Sequence, residues 1–167
     1  MGLLPMSVNG KQVQLVLKGF MKEPFNLKLG KIIEERSIQE NVEFHGVTSY
    51  KEVPKVTASC HIGIAIFAKD DIMNKTLGTA SNKIYEYAAC GLPVLYYDNE
   101  HFRTHLSKYK WAVATKLTNQ SLMDSIAYID ANYAELSEAA RSDFENELNF
   151  EKQFKPLATE LVERINL

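Results

Sequence analysis

Residues 81–99 read SNKIYEYAACGLPVLYYDN, and the order of signals in that stretch decides the fold. Ser81 is a helix N-cap residue, with Asn82 and Lys83 in the first turn. Gly91 supplies a left-handed stop, and Pro93 prevents the helix from resuming. The apolar run from Pro93 to Tyr97 then reads as a buried strand. Ile84 and Ala88 share a stripe that can pack on a sheet. Glu86, four residues from Asn82 and three from Lys83, falls on the face of the first turn.

Working outward, strand-like and helix-like runs alternate. Val13 to Leu17 is short, apolar and β-branched, and is followed by NLKLGKIIEERSI with apolar residues near helical spacing. Val42 to Phe44 is a second short strand, ended by His45 and Gly46. SYKEVPKVTASC reads as a short helix that Pro54 can join only in its first turn. Ile62 to Phe67 is a continuous apolar run, expected to be a strand buried on both faces. The polar segment from Lys69 to Ala80, with Gly78, reads as a loop. Trp111 to Thr115 is a last strand. From Asn119 onward the pattern is helical, with Leu122, Ile126 and Ile129 on one stripe and breaks expected at Asn149 and Pro156. Such alternation predicts an α/β, Rossmann-like, three-layer fold: a parallel sheet with helices on both faces, ligands at the C-terminal ends of its strands, and a helical C-terminus.

The chain of 167 residues has the size of one domain, 24% charged residues and a formal net charge of −2. With no Lys/Arg-rich run, a nucleic-acid partner is not expected. Cys60 and Cys90 lack metal-like spacing and read as inert thiols in a reducing compartment. Neither a membrane-spanning segment nor a signal peptide is evident, so a cytoplasmic location is expected.

The first turn of the quoted helix offers backbone N–H groups and a positive dipole end, with Lys83 as a mobile charge: a ready anion site. A carboxylate one turn further in can accept hydrogen bonds from two vicinal hydroxyls. Diphosphate above and ribose below describe a nucleotide.

The run Ser81-Asn82-Lys83-x-x-Glu86-Tyr87-x-Ala89-x-Gly91-x-Pro93-Val94 resembles the donor-site signature of GT-B glycosyltransferases, in the large retaining group numbered family four. NVEFHGVTSYKEVPKVTASCHIGIAIF resembles the same family's Val-x-Phe-x-Gly strand and loop, helix and buried strand. The resemblance covers Val13 to about Thr115. It implies that Glu86 binds the donor ribose, that Ser81, Asn82, Lys83 and Ile84 hold the diphosphate, and that Gly46, Val47 and Thr48 border the base. It implies a nucleotide sugar as substrate, no cofactor and metal-independent transfer, and leaves the catalytic residue unknown. Two departures stand out. Many members carry a second glutamate eight residues before the ribose ligand, where this chain has Gly78. The family's donor domain also opens with a strand and a basic loop, and only residues 1–12 precede the first strand here. Residues 1–12 are therefore expected to be an N-terminal remnant or boundary and 13–167 a single donor-binding domain.

On that reading an N-terminal acceptor domain is missing from these residues. The full enzyme would be a hexosyltransferase-type glycosyltransferase acting on a polysaccharide or lipid-linked glycan, with possible peripheral association at the inner face of a membrane. The chain alone would be inactive. A nucleotide-sugar epimerase of similar architecture and a non-catalytic α/β binding module are the alternatives. For Glu86 the competing reading is an exposed helix glutamate, and for Lys83 a solvated lysine. His101 and His105 sit four apart, a spacing that can bind a metal, but read as surface histidines without a third ligand. His45 and His61 flank strand ends and can be packing or sugar-contact residues. Tyr85, Tyr87, Tyr96 and Tyr97 read as packing residues around the sheet.

Overall fold

The computed structural model describes residues 4–67 and 71–165. The chain is α/β, and each strand that pairs beyond a local hairpin pairs in parallel. A two-residue turn through Asn9 and Gly10, both at positive φ, closes the antiparallel hairpin of β1 (Ser7–Val8) and β2 (Lys11–Gln12). The hairpin is bound to the rest of the chain through Asp130, which accepts from Lys11 Nζ at 2.6 Å and Asn9 Nδ2 at 2.7 Å. Leu4 lies in a small core with Leu29, Ile33 and Ile38. Leu4 and the hairpin thus pack against the rest of the chain.

The strand read at Val13–Leu17 is β3 (Leu15–Lys18), which pairs in parallel with β4 (Val42–Gly46). Between them runs α1 (Phe25–Glu35), burying Leu29 and Ile33 at a spacing of four. A second parallel ladder joins β5 (Gly63–Ala65), β6 (Val94–Tyr97) and β7 (Ala112–Thr115), in that order. The parallel strands therefore form two ladders rather than one continuous sheet. The expectation that the run at 62–67 is buried on both faces fails at Ile64, which is 44% exposed, while Gly63 and Ala65 are buried. At that position the Tyr87 hydroxyl donates to the Ile64 carbonyl at 3.5 Å.

Among the described residues three helices stand between β5 and β7. The polar segment read as a loop contains α3 (Ile72–Ala80), with residues 68–70 outside the described part. Asp71 caps it, accepting from the Asn74 amide at 2.8 Å, and Gly78 lets it approach α5 (Glu100–Leu106). A Cβ on Gly78 would come within 3.1 Å of the Phe102 Cα. Next comes α4 (Asn82–Ala89), which packs Ile84 and Ala88, both wholly buried, into the larger core. Gly91, at φ +69°, ends α4 with paired bonds from Leu92 N to the Tyr87 carbonyl and from Gly91 N to the Ala88 carbonyl.

Beyond β7 the chain is helical: α6 (Asn119–Ala131), α7 (Tyr133–Asp143), a π-helical turn (Phe144–Leu148) and α8 (Phe150–Ile165). Asn149 marks the break, its Oδ1 accepting from the Lys152 amide at 2.9 Å. Pro156, expected to break the chain again, lies inside α8. Since α8 buries none of its side chains, the carbonyl that Pro156 leaves without an N–H partner stands where water can reach it.

Gly63 sets how closely α4 sits on β5. A Cβ there would lie 2.3 Å from two atoms of the Tyr87 ring. Gly63→Ala is expected to lower stability by about 1–3 kcal/mol through overpacking, read by urea denaturation. Tyr87→Ala in the same background should recover part of that loss, and a Gly63→Ala protein as stable as the parent would refute the close approach.

Candidate functional site

The site is built on α4, whose position rather than capping chemistry defines it. Ser81 stands at the N-cap with extended backbone and is 6% exposed, yet its hydroxyl caps no amide. Its carbonyl instead accepts the Ile84 N–H at 3.2 Å. The Ile84 amide is therefore engaged within the turn, and its side chain is buried, whereas Asn82 and Lys83 are exposed. Lys83 turns away from Glu86, its Nζ lying 5.9 Å from the centre of the Phe67 ring. Because Phe67 follows β5, this contact fixes the start of α4 beside the C-terminal end of that strand.

Along one side of α4 runs a cleft of about 410 Å³, lined by Asn82, Tyr85, Glu86, Ala89 and Cys90 from that helix. The volume is within the range of small-molecule sites. Its facing wall comes from the segment after β4: Tyr50 in a 3₁₀ turn (Tyr50–Glu52), then Val53, Pro54 and Thr57 of α2 (Val53–Ala58). Phe144 of the π-helical turn closes one end. Among the described residues no hydrogen bond or ion pair engages the half-buried Glu86 carboxylate. Burial, opposed by Arg141 and reinforced by Glu86, pushes the Cys90 thiol above its ordinary value, so it stands in the cleft as an uncharged group.

The structure thus brings Glu86 and Asn82 to one wall, as their spacing of four requires, and leaves Lys83 outside it. Gly46, Val47 and Thr48 lie next to the cleft in the chain without lining it. Gly46, at φ +57°, accepts from the Gly19 amide at 2.8 Å, Val47 is 74% exposed, and the Thr48 hydroxyl accepts from the Lys18 ammonium. Three lining aromatics escaped the sequence reading in that role. From sequence Tyr50 falls in a short helix whose start the Ser49-x-x-Glu52 box marks, with no cue to the cleft. Tyr85 was assigned to packing, and Phe144 carries no local signal.

The histidines lie apart from this cleft. His45 Nε2 lies 2.7 Å from Glu43 Oε1, and His61 packs edge-on against Tyr133. The His101 and His105 rings lie 4.5 Å apart, tilted at 55°, beside a second cavity between α3 and α5; burial, and then His105, hold His101 below its ordinary value. Among the described residues no three His, Cys, Asp or Glu side chains are grouped as metal ligands, and no helix is long and apolar enough to cross a membrane.

Parallel ladders joined through helices, with a cleft along the helix that starts beside the end of β5, make this a Rossmann-like α/β fold, a class that places its ligands at strand ends. A sequence profile of the family described as "Glycosyl transferases group 1" matches residues 3–143, and the chain belongs to that family. Its fold is similar to that of HepE from Anabaena, solved with UDP and glucose (TM-score 0.71, 16% identity, 90% of this chain and 41% of that one). HepE with UDP-glucose is similarly related (TM-score 0.70, 18% identity, 91% and 41%). WaaG, a glycosyltransferase involved in lipopolysaccharide biosynthesis, matches at TM-score 0.64 with 15% identity over 86% of this chain and 36% of that one. The chain spans about two fifths of the length of these neighbours. Comparison with curated proteins finds no match.

Proposed function

We propose that this chain is the nucleotide-sugar-binding part of a glycosyltransferase. The observation that carries the reading is the unpaired Glu86 carboxylate beside Asn82 on one wall of the cleft, one turn inside the helix that starts at the end of β5. Glu86 accepts hydrogen bonds from the ribose hydroxyls. The diphosphate lies at the opening of α4, where the amides of Asn82 and Lys83 and the helix dipole offset its charge. Ser81 and Ile84 shape that turn through their own bond, and Lys83 reaches the phosphates by leaving the face of Phe67. The loop at Gly46, Val47 and Thr48 borders the base.

In the transfer, the bond between the sugar's anomeric carbon and the diphosphate breaks and the diphosphate takes the electron pair. The oxygen of an acceptor hydroxyl forms the new glycosidic bond, and its proton passes to an oxygen of the departing diphosphate. What the chain contributes is stabilisation of the charge that builds on the leaving diphosphate. No cofactor or metal is assigned to the step. The acceptor is a polysaccharide or lipid-linked glycan, the transfer is of the retaining hexosyl type, and the enzyme works on the cytoplasmic side, at the membrane face where the acceptor is lipid-linked. Acceptor binding belongs to polypeptide outside the 167 residues, in keeping with the two-fifths span of the neighbours' chains.

The purified 167-residue chain is therefore expected to bind UDP in a calorimetric titration, yet to release no UDP and form no glycoside when given UDP-glucose and glycan acceptors. Robust transfer by this chain alone would refute the assignment of acceptor binding elsewhere. Failure to bind any nucleoside diphosphate would refute the nucleotide site itself. Inversion at a sugar carbon without transfer would instead identify an epimerase.

A further inference from the structure

We infer that Tyr50 is the stacking platform for the nucleobase. The inference rests on the nucleotide reading of the cleft and assigns a residue that reading leaves open. Tyr50 lines the wall facing Glu86 and is 81% exposed, so most of its side chain is open to a ligand in the cleft.

Its backbone is held in place from several directions. Ser49 and Glu52 form a reciprocal capping box around the turn, with Ser49 N and Oγ donating to Glu52 Oε2 at 3.1 and 2.9 Å. The Lys18 ammonium donates to Thr48 two residues earlier, tying the segment to the end of β3. Pro54 stiffens the first turn of α2 immediately after it. Only the two side-chain torsions of Tyr50 remain to be ordered by a ligand, so stacking on it carries a small entropic cost.

The chemistry of the two walls is divided in the same way as a nucleoside. Glu86 and Asn82 supply polar groups on α4, where a ribose and the first phosphate need them. The opposite wall offers Tyr50, Val53 and Pro54, a flat and largely apolar surface suited to a planar base. Stacking recognises the π-face shared by every base, so Tyr50 contributes affinity with little choice between pyrimidine and purine.

The test is calorimetric titration of UDP and of ribose 5-phosphate, which lacks the base, against the parent chain, Tyr50→Ala and Tyr50→Phe. Tyr50→Ala is expected to weaken UDP roughly 5- to 150-fold, the worth of one base–aromatic stack. Ribose 5-phosphate should bind parent and Tyr50→Ala alike, and Tyr50→Phe should hold UDP within about twofold of the parent, since the ring face is retained. An exposed side chain leaves folding intact, checked by circular dichroism. Parent-like UDP binding by Tyr50→Ala would overturn the platform while leaving the nucleotide site standing. Equal losses for UDP and ribose 5-phosphate would make Tyr50 a support of the cleft rather than a base contact. A parent chain that ignores UDP would overturn the nucleotide reading, and this inference with it.

Discussion

Trp111→Ala is expected to cost about 3–5 kcal/mol of stability, the range for deleting a fully buried large aromatic. Trp111 has no exposed surface, stacks on Tyr109 at 5.2 Å and donates from Nε1 to Asp143 Oδ2 at 2.9 Å. Its carbonyl also accepts from Val94 N at 2.8 Å, at the point where β6 and β7 begin to pair. The substitution therefore opens a cavity in the larger core and leaves the half-buried Asp143 carboxylate without its donor. Trp111→Phe separates the two effects. It retains much of the ring volume and loses the hydrogen bond, whose loss is bounded by the roughly 1.5–3 kcal/mol of a bond to a charged acceptor. Urea denaturation with an unchanged m-value would assign the difference to the folded state. A loss under about 1 kcal/mol for Trp111→Ala would show that the core closes around the gap, contrary to its close packing.

This residue also bears on the cleft. Asp143 ends α7 and Phe144 follows it, and the neighbouring Tyr109 and Lys108 both donate to Glu147 within the same π-helical turn, at 2.7 and 2.8 Å. Those two hydrogen bonds are also the leading cause of the Glu147 carboxyl being held below its ordinary value, Lys108 first. The segment entering β7 thus holds the turn that presents Phe144 to the cleft.

Such long-range placement marks the limit of what the sequence discloses. The helix α4 was legible because its signals are local: a serine, an apolar spacing of four, then glycine and proline. Asn82 and Glu86 share the cleft for the same reason, since a spacing of four fixes a common face in any helix. The helix α3 is hidden because Asn74, Lys75 and Thr76 form a polar run inside it and Gly78 lowers its helix propensity. Its support comes from Gly78 against Phe102, a contact no window of sequence contains. Lys83 was read with Glu86 because three residues of spacing permits it, but the ring of Phe67 draws it to the other side. Phe144 has no local signal for its place, since bonds from Trp111 to Asp143 and from Tyr109 to Glu147, spanning 32 and 38 residues of sequence, put it there. The parallel pairing is legible from the alternation of strands and helices; the division into a β3–β4 ladder and a β5–β6–β7 ladder is not. Alternation sets strand direction and leaves open which strands meet.

Glu86→Gln is expected to weaken nucleotide binding by about 1.5–3 kcal/mol, roughly 10- to 150-fold, the usual worth of hydrogen bonds to a charged acceptor. Folding should hardly change, because glutamine has similar size and helix propensity and no described group depends on this carboxylate. The strongest control uses a ligand that lacks the partner groups. A 2′,3′-dideoxynucleoside diphosphate cannot donate to the carboxylate, so the same substitution should cost it far less. Titrating both ligands against both proteins closes a double-mutant cycle, and the interaction energy it returns is free of effects that the substitution has on both ligands alike. An interaction energy near zero with binding intact would make Glu86 a helix-surface residue and place the ribose elsewhere on the wall. Equal weakening of both ligands would point instead to a change in the shape of α4, beginning at its Asn82 turn. A large interaction energy in a chain that transfers no sugar would separate the two parts of the proposal: nucleotide recognition resides in these residues, and the acceptor is bound by polypeptide outside them.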